Sequence, residues 1–399
     1  MSDVIDDVPT LDIDPYDQAH AADPYPVWAA IREAAPVVYL TRYDTYATGR
    51  YDEVRAALDD WAHFSSTGGV GLTDITQPGA LRPGSALVEV DPPVHTDVRG
   101  VMTKIISPKV IKGWRDDFER AARALADDLV RRTEIDGMDD VAIPYVATVF
   151  PHALGVPGDQ RGNLMIQGDY RFSSLGPAND FYVAARARFD HIAEWYYAAQ
   201  RRENLLPGGF GEQIFAAEDD GRLRPGVAQS VMMSFFGGGL HTTISGLGST
   251  LMHLAADPDL WARLRADRAR VKVAFEEALR LETPATTWYR KTNGEAELGG
   301  ARLREGMKIH LLTASANRDP RRFRDPDRYD IDRPAMGHLA LGWGVHQCIG
   351  QNIARAEAEA LFNALLDRIE RIEPAGAPAY RPLNNLRILD RLPLRIVAA

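Results

Sequence analysis

The sequence predicts a mostly α-helical protein with small β-sheets. Three observations carry this reading. Apolar residues recur with helical period almost without interruption from about residue 95 to 281. Strand-like pieces are short and confined to the two ends of the chain. No Gly/Ser linker, low-complexity tract or solenoid-type repeat divides it. With 399 residues and 45% hydrophobic composition, the chain is long enough for two ordinary domains, but an uninterrupted pattern favours one large core. The expected organisation is a flexible N-terminal segment over 1–20 and a single domain over 21–399.

Taken in order, Pro24-Tyr25-Pro26 opens a short amphipathic helix through Arg32, because a proline in the first turn forfeits no hydrogen bond. β-rich pieces at 37–40 and 46–48 predict a small N-terminal sheet. Residues 64–94 are rich in Gly, Thr and Pro, with Gly68, Gly69 and Gly71 close together; a loop this long in a compact protein is usually functional. Long helices are expected near 118–132, 181–203 and 226–256, with breaks at Pro157-Gly158, Gly176-Pro177 and Pro207-Gly208-Gly209. Strand candidates return at 288–291, 296–298 and 308–312. A last long helix is expected over 350–369, before a β-like tail.

A net charge of −10 argues against nucleic acid as a partner, since a basic footprint supplies most of that affinity. The first residues are acidic and lack the basic start and apolar run of a secretory signal, and no stretch approaches the roughly 18 apolar residues of a membrane span. A cytoplasmic protein with no membrane partner is expected. Three of the six lysines, Lys104, Lys109 and Lys112, stand close together ahead of Arg115, a patch suited to docking an acidic partner. The single cysteine excludes an internal disulfide and a four-cysteine iron–sulfur cluster, so redox chemistry here needs another cofactor.

That cysteine, Cys348, lies in Leu341-Gly342-Trp343-Gly344-Val345-His346-Gln347-Cys348-Ile349-Gly350, directly before the last long helix. Glycines let a backbone approach a flat ligand and aim N–H groups at the sulfur, and a helix N-terminus favours thiolate. The stretch resembles the haem-binding loop of the cytochrome P-450 family, Phe-Gly-x-Gly-x-His-x-Cys-x-Gly, and departs from it only where Leu341 replaces phenylalanine. The resemblance implies the cytochrome P-450 fold, a triangular helical domain with haem b (iron protoporphyrin IX) between a central distal helix and the cysteine-loop helix. It makes Cys348 the iron ligand and places Leu341, Gly342, Gly350 and Gly239 against the haem.

Other motifs agree with this resemblance. Glu277 and Arg280, three apart on a helix, share one face, and the family completes their buried network with an arginine in a Pro-x-Arg segment, matched by Arg328 of Pro326-Asp327-Arg328. His95 and Arg99, at i and i+4, match haem-propionate ligands, as do Arg290 and His346; together they supply cations for two carboxylates that would be costly to bury unpaired. Phe235-Phe236-Gly237-Gly238-Gly239-Leu240-His241-Thr242-Thr243 puts three glycines inside a predicted helix, each costing about 1 kcal/mol against alanine. In the family this is the oxygen-binding kink. Thr242 matches its threonine, and His241 stands where the family has an acid, so His241 is expected to relay protons.

Thiolate ligation favours O–O cleavage, which implies a monooxygenase using dioxygen. The alternatives are a hydrogen-peroxide-dependent peroxygenase and a non-catalytic haem sensor. No flavin or nicotinamide domain is visible, so electrons are expected from a ferredoxin and its reductase, docking at the Lys104–Arg115 patch. Further segments, among them Leu206-Pro207-Gly208-Gly209-Phe210-Gly211 and Ser315-Ala316-Asn317-Arg318-Asp319-Pro320, resemble bacterial enzymes that O-demethylate para-methoxybenzoates and related small aromatics. That resemblance lines the substrate pocket with Val70, Leu72, Phe172, Leu175, Ser234, Gly238, Thr242, Ala285 and Trp288. Because 65–81 contains no Lys, Arg or His, a neutral methoxylated phenol is expected over a benzoate.

Overall fold

Helices form where the apolar period is unbroken and stop where proline, glycine or a polar run interrupts the ladder. The computed structural model describes residues 8–158, 160, 162–334 and 336–399. Its first half runs through α1 (Tyr25–Ala34), α2 (Tyr51–Asp59), α3 (Val94–Ile105), α4 (Pro108–Leu129), α5 (Ile143–Leu154), α6 (Asn163–Ser173), α7 (Asp180–Asp190) and α8 (Ala193–Ala199). There follow α9 (Phe210–Asp219), α10 (Val227–Gly238), α11 (His241–Ala256), α12 (Pro258–Ala266), α13 (Arg270–Glu282), α14 (Thr313–Ala316) and α15 (Gln351–Arg368). α4 starts at Pro108 rather than near 118, again with proline in the first turn. Two helices expected to be continuous are each two. Ile192 leaves helical geometry, with φ −113° and ψ 0°, and separates α7 from α8, while Gly239-Leu240 separates α10 from α11.

The core is built on α4 against α15, the most extensive helix pair among the described residues. Ala122 and Ala126 on one and Leu361, Phe362 and Leu365 on the other are buried, the small residues letting the helices approach. α11 is enclosed all round, every residue from Thr243 to Leu251 being buried, as a helix without a polar face must be. Its glycines serve this packing: a Cβ on Gly248 would lie 2.4 Å from Met138 Sδ, and one on Gly246 2.9 Å from Leu279 Cδ2.

The strands are β1 (Thr10–Leu11), β2 (Val38–Leu40), β3 (Thr45–Thr48), β4 (Phe64–Ser65), β5 (Glu134–Asp136), β6 (Trp288–Thr292), β7 (Ala296–Leu298), β8 (Ala301–Leu303) and β9 (Lys308–Leu311), then β10 (Ile369–Pro374), β11 (Ala379–Tyr380), β12 (Leu389–Arg391) and β13 (Pro393–Ala398). The largest sheet has the order β1-β2-β3-β9-β6-β4. β6 and β9 pair antiparallel, with Trp288 opposite Leu311 and Lys291 opposite Lys308. Alternation along β6 sends Trp288 and Arg290 to one face and Tyr289 to the other, where its ring stacks 4.3 Å from His310. Residues 8–20, expected within a flexible lead-in, are tied down: β1 pairs with β2, and the Tyr16 hydroxyl sits 2.9 Å from that of Tyr289. Residues 1–7 of that segment lie outside the described residues. Among the described residues no helix is long and apolar enough to cross a membrane.

Candidate active site

The cysteine loop turns on two left-handed glycines, Gly342 at φ +69° and Gly344 at φ +66°, a backbone conformation that L side chains resist. Gly344 also sits where a Cβ would be 2.8 Å from the Leu58 carbonyl. The turn closes when Cys348 N–H donates to Leu341 O at 2.8 Å. Burial pushes the Cys348 thiol up, while the N–H groups of Gly350 and Gln351 and the charges of Arg99 and Arg355 pull the other way. The loop and the first turn of α15 thus aim donors at one sulfur. Cys348, Leu341, Gly342 and Gly350 all border one internal cavity.

Arg99, Arg290 and His346 border this cavity, and with His95 packed on His346 they make four cationic or donor side chains from three distant segments. His95 and Arg99 come from α3, Arg290 from β6 and His346 from the loop, with the rings of His95 and His346 4.3 Å apart. Burial, with help from His346 and Arg99, pulls His95 down to about 4; burial likewise holds Arg290 at about 10 and lowers Arg99 and His346. Among the described residues neither arginine has a carboxylate within ion-pair distance, and Arg290 Nη1 donates only to its neighbouring carbonyl, Tyr289 O. Nε2 of His95 and of His346 are buried without a hydrogen-bond partner, the nearest carboxylate oxygen to His346 being Asp91 Oδ1 at 3.8 Å. Buried donors left open cost about 1–3 kcal/mol each. A planar ligand carrying two carboxylates, with a metal that takes one thiolate, satisfies this set. Haem fits.

Across the cavity, α10 ends and α11 begins. The hydroxyls of Thr242 and Thr243 donate to Gly238 O at 2.8 Å and Gly239 O at 3.3 Å, so side chains bond carbonyls where the helix breaks. Thr242, Gly238 and Gly239 line the cavity; a Cβ on Gly239 would lie 2.1 Å from the Phe150 ring, so this glycine makes room for a phenyl group. His241 is turned away from the cavity. Its Nε2 lies 3.0 Å from Met165 O and 3.3 Å from Asp169 Oδ1, both on α6. Asp169 also receives Arg188 Nη2 at 2.8 Å and Arg381 Nη1 at 3.2 Å. Burial would raise the Asp169 carboxyl, but the hydrogen bond and charge of His241, with Arg381 and Arg188, leave it below the usual range. The two residues paired in the sequence reading therefore part company: Thr242 faces the cavity, while His241 binds α6.

A family model described as Cytochrome P450 matches residues 210–379. Over 395 residues, 98% of this chain and 95% of the relative, the chain is 44% identical to Cytochrome p450 CYP199A2 of Rhodopseudomonas palustris. The chain belongs to the cytochrome P450 family. It is 30% identical to the cytochrome P450 monooxygenase PikC of Streptomyces venezuelae, over 97% of this chain and 94% of that one. The structure of CYP108D1 from Novosphingobium aromaticivorans superposes with a TM-score of 0.82 at 28% identity, covering 97% of each chain. As a member of this family the protein is a monooxygenase that binds haem, iron protoporphyrin IX, through a cysteine thiolate, and it has a single cysteine to offer.

Of the residues expected to touch substrate in this P450, Val70, Phe172, Ser234, Gly238, Ala285 and Trp288 line the cavity beside Thr242. Leu72 and Leu175 are not part of its wall. Leu72 N–H donates to Leu175 O at 2.8 Å, and a Cβ on Gly71 would lie 2.8 Å from that same oxygen; these residues staple the long loop to the end of α6. Sequence reasoning missed Leu87, Val88, Phe150 and Phe235, which also line the cavity. Phe235 was legible at three residues before Gly238 on one helical face; Leu87 and Val88 lie in a loop and carry no periodic signal.

The bracing network is also revised. Arg280 Nε and Nη2 each donate to Glu277 at 2.8 Å, and Arg280 Nη1 donates to Asn317 O and Pro326 O. The second arginine on Glu277 is Arg333, whose Nε lies 3.1 Å from Oε1. Arg328 presents only its carbonyl, 3.2 Å from Arg280 Nη2, and its side chain is exposed. The turn through Asp325, which has a left-handed φ of +45°, carries Arg328 outward and brings Arg333 in. Asn317 continues the brace by accepting Leu339 N–H at 2.7 Å, directly ahead of the cysteine loop.

Proposed function

We propose that this P450 uses dioxygen and electrons from a ferredoxin with its reductase to hydroxylate, or oxidatively O-demethylate, a small methoxylated aromatic compound. In this reading Cys348 holds the iron, and His95, Arg99, Arg290 and His346 hold the propionates. When bound, thiolate-ligated haem supplies the oxidising chemistry. The protein's own part is to hold one ring beside Thr242 and keep water out. The cavity wall carries the proposal: the rings of Phe172 and Trp288 with Val70, Leu87 and Ala285 make an apolar slot, and Ser234 and Thr242 are its polar points.

The Ser234 end bears on charge. Ser234 Oγ lies 2.7 Å from Ser85 Oγ, and Ser85 N–H donates to Glu89 Oε2 at 2.9 Å. Arg82, just beyond the stretch that lacks cations, pairs with Glu89 through both nitrogens. Arg171, alongside Gly237, has no carboxylate in ion-pair distance among the described residues, and burial pulls it down to about 10. Arg82 thus takes the one carboxylate at close range, and Arg171 is left without an ion-pair partner. Arg82, Arg171, Glu89 and Ser85 lie behind the cavity wall rather than on it, and the excess positive charge they leave behind Ser234 supports an aromatic carboxylate in place of the neutral phenol expected from the sequence. In an optical titration of the ferric protein, 4-methoxybenzoate is expected to displace the Soret band at lower concentration than 4-methoxyphenol, and Arg171→Met to erase the difference. Tighter binding of the phenol would overturn the charge assignment.

Lys104, Lys109 and Lys112 are exposed, whereas Arg115 Nη2 is tied to Glu359 at 2.5 Å. The groove beside them, bordered by Lys112, Lys272, Gln347 and Arg355, lies on the Cys348 side, which supports donor docking there. Lys109→Glu with Lys112→Glu is expected to slow reduction by ferredoxin about tenfold at low salt, less at high salt, with substrate affinity unchanged. A reduction rate equal to wild type would remove the docking surface. A peroxide-driven reaction is the second reading, favoured by the engagement of His241 with α6. More product with hydrogen peroxide than with ferredoxin, reductase and NADH would decide for it.

A further inference from the structure

Strand β9 places a lysine under the long loop that covers the cavity. Its neighbour across the sheet, Lys291, reaches Asp74 Oδ2 at 2.8 Å. Lys308 has no carboxylate within ion-pair distance among the described residues. Its Nζ lies instead 2.8 Å from Gly68 O, 2.9 Å from Gly69 O and 2.8 Å from Gly71 O, with Thr73 O at 3.5 Å and the Tyr289 ring centroid at 5.7 Å. These carbonyls belong to one tight turn, in which Gly69 holds φ +90°. Val70, enclosed by that turn, lines the cavity; its carbonyl accepts Tyr289 N–H at 3.1 Å, and its N–H donates to Glu89 at 3.0 Å.

Only the charged form of Lys308 suits such a ring of acceptors. An ammonium group offers three N–H donors and no lone pair. A neutral amine offers two and turns its lone pair on a carbonyl oxygen. We propose that Lys308 is a positioning residue whose ammonium ion, caged by loop carbonyls as a bound monovalent cation would be, holds residues 68–73 closed over the cavity and so sets substrate affinity. The affinity part rests on the reading of the cavity as the substrate site; the loop part does not.

The charges facing this nitrogen are Asp74 and Glu89, which favour the cation, and Arg82 and Lys291, which oppose it. Burial outweighs them and pulls Lys308 down to about 7. The cage is therefore charged and closed below neutrality and loses its charge as pH rises through that value.

The test is amide hydrogen exchange of the 66–75 segment in the haem-loaded protein, corrected for the intrinsic pH dependence of exchange. In Lys308→Met, this segment is expected to exchange about tenfold faster or more, the change produced by losing one hydrogen bond to a charged group, with α4 and α15 unaffected. Affinity for 1,4-dimethoxybenzene, a neutral probe, should weaken by a similar factor. In Lys308→Ala, propylammonium chloride should restore loop protection where sodium chloride does not. Wild-type protection should fall between roughly pH 6 and pH 9, bracketing the Lys308 transition, and the Met variant should show no such fall. Unchanged exchange in Lys308→Met, or equal rescue by sodium chloride, overturns the proposal. Should the variants not fold, a flat pH profile in the wild type overturns it as well. A loop that behaves as expected in a protein binding no methoxylated aromatic would count against the proposed substrate class alone.

Discussion

Cys348→Ala is expected to lose the strongly red-shifted absorption that thiolate coordination confers on the reduced carbon monoxide adduct, and product formation should fall to background. The chain has one cysteine, so no second thiolate can take over. The fold around the site should survive, because the turn is held by backbone bonds, Cys348 N–H to Leu341 O and Gly342 N–H to Leu339 O, and by glycine conformations that the side chain does not set. Loss of the spectrum with a near-native melting temperature therefore separates ligation from folding. Cys348→Ser, closer in volume, should share the spectral loss. A retained red-shifted band in either variant would sink the assignment of the iron ligand.

The second large effect concerns stability. Glu277→Gln leaves the Arg280 guanidinium with no carboxylate at a site where both side chains are 0% exposed, and removes the carboxylate partner of Arg333, which is itself only 9% exposed. Breaking a buried ion pair from one side costs about 3–5 kcal/mol, a large share of the roughly 5–15 kcal/mol that holds a domain together. The variant should express poorly, melt at a clearly lower temperature and carry little haem, because the brace runs through Asn317 to Leu339 and the cysteine loop. Arg333→Leu should show a milder form of the same defect. Arg328→Ala should change stability by no more than about 0.5 kcal/mol, as exposed substitutions do, since a carbonyl survives any change of side chain. Equal damage from Arg328→Ala and Arg333→Leu, measured by thermal unfolding and haem content, would refute the reassignment.

Much of this was legible beforehand for definite physical reasons. A flat ligand pressed against backbone demands glycine, a thiolate demands donors and a helix start, and both requirements act over ten consecutive residues, so Gly342, Gly344, Cys348 and Gly350 advertise themselves. His95 and Arg99 are readable as an i, i+4 pair on one helix. What failed was reading that needed direction. Arg328 and Arg333 stand five residues apart in an irregular segment, where no period says which side chain turns inward. The helices expected over 181–203 and 226–256 each hide a break of two residues that leaves the apolar period intact.

By itself the sequence determined the helical class, the order of the elements and the local chemistry of the cysteine loop, because each depends on neighbours within a turn or two of the chain. Only the tertiary structure decided that His241 faces Asp169 rather than the cavity, that Leu72 and Leu175 staple a loop, that Arg82 pairs with Glu89, and that Lys308 sits in a ring of carbonyls. Those are contacts between residues far apart along the chain. Their sign and geometry follow from how helices and strands rotate when they pack, and that rotation is set by the whole core at once.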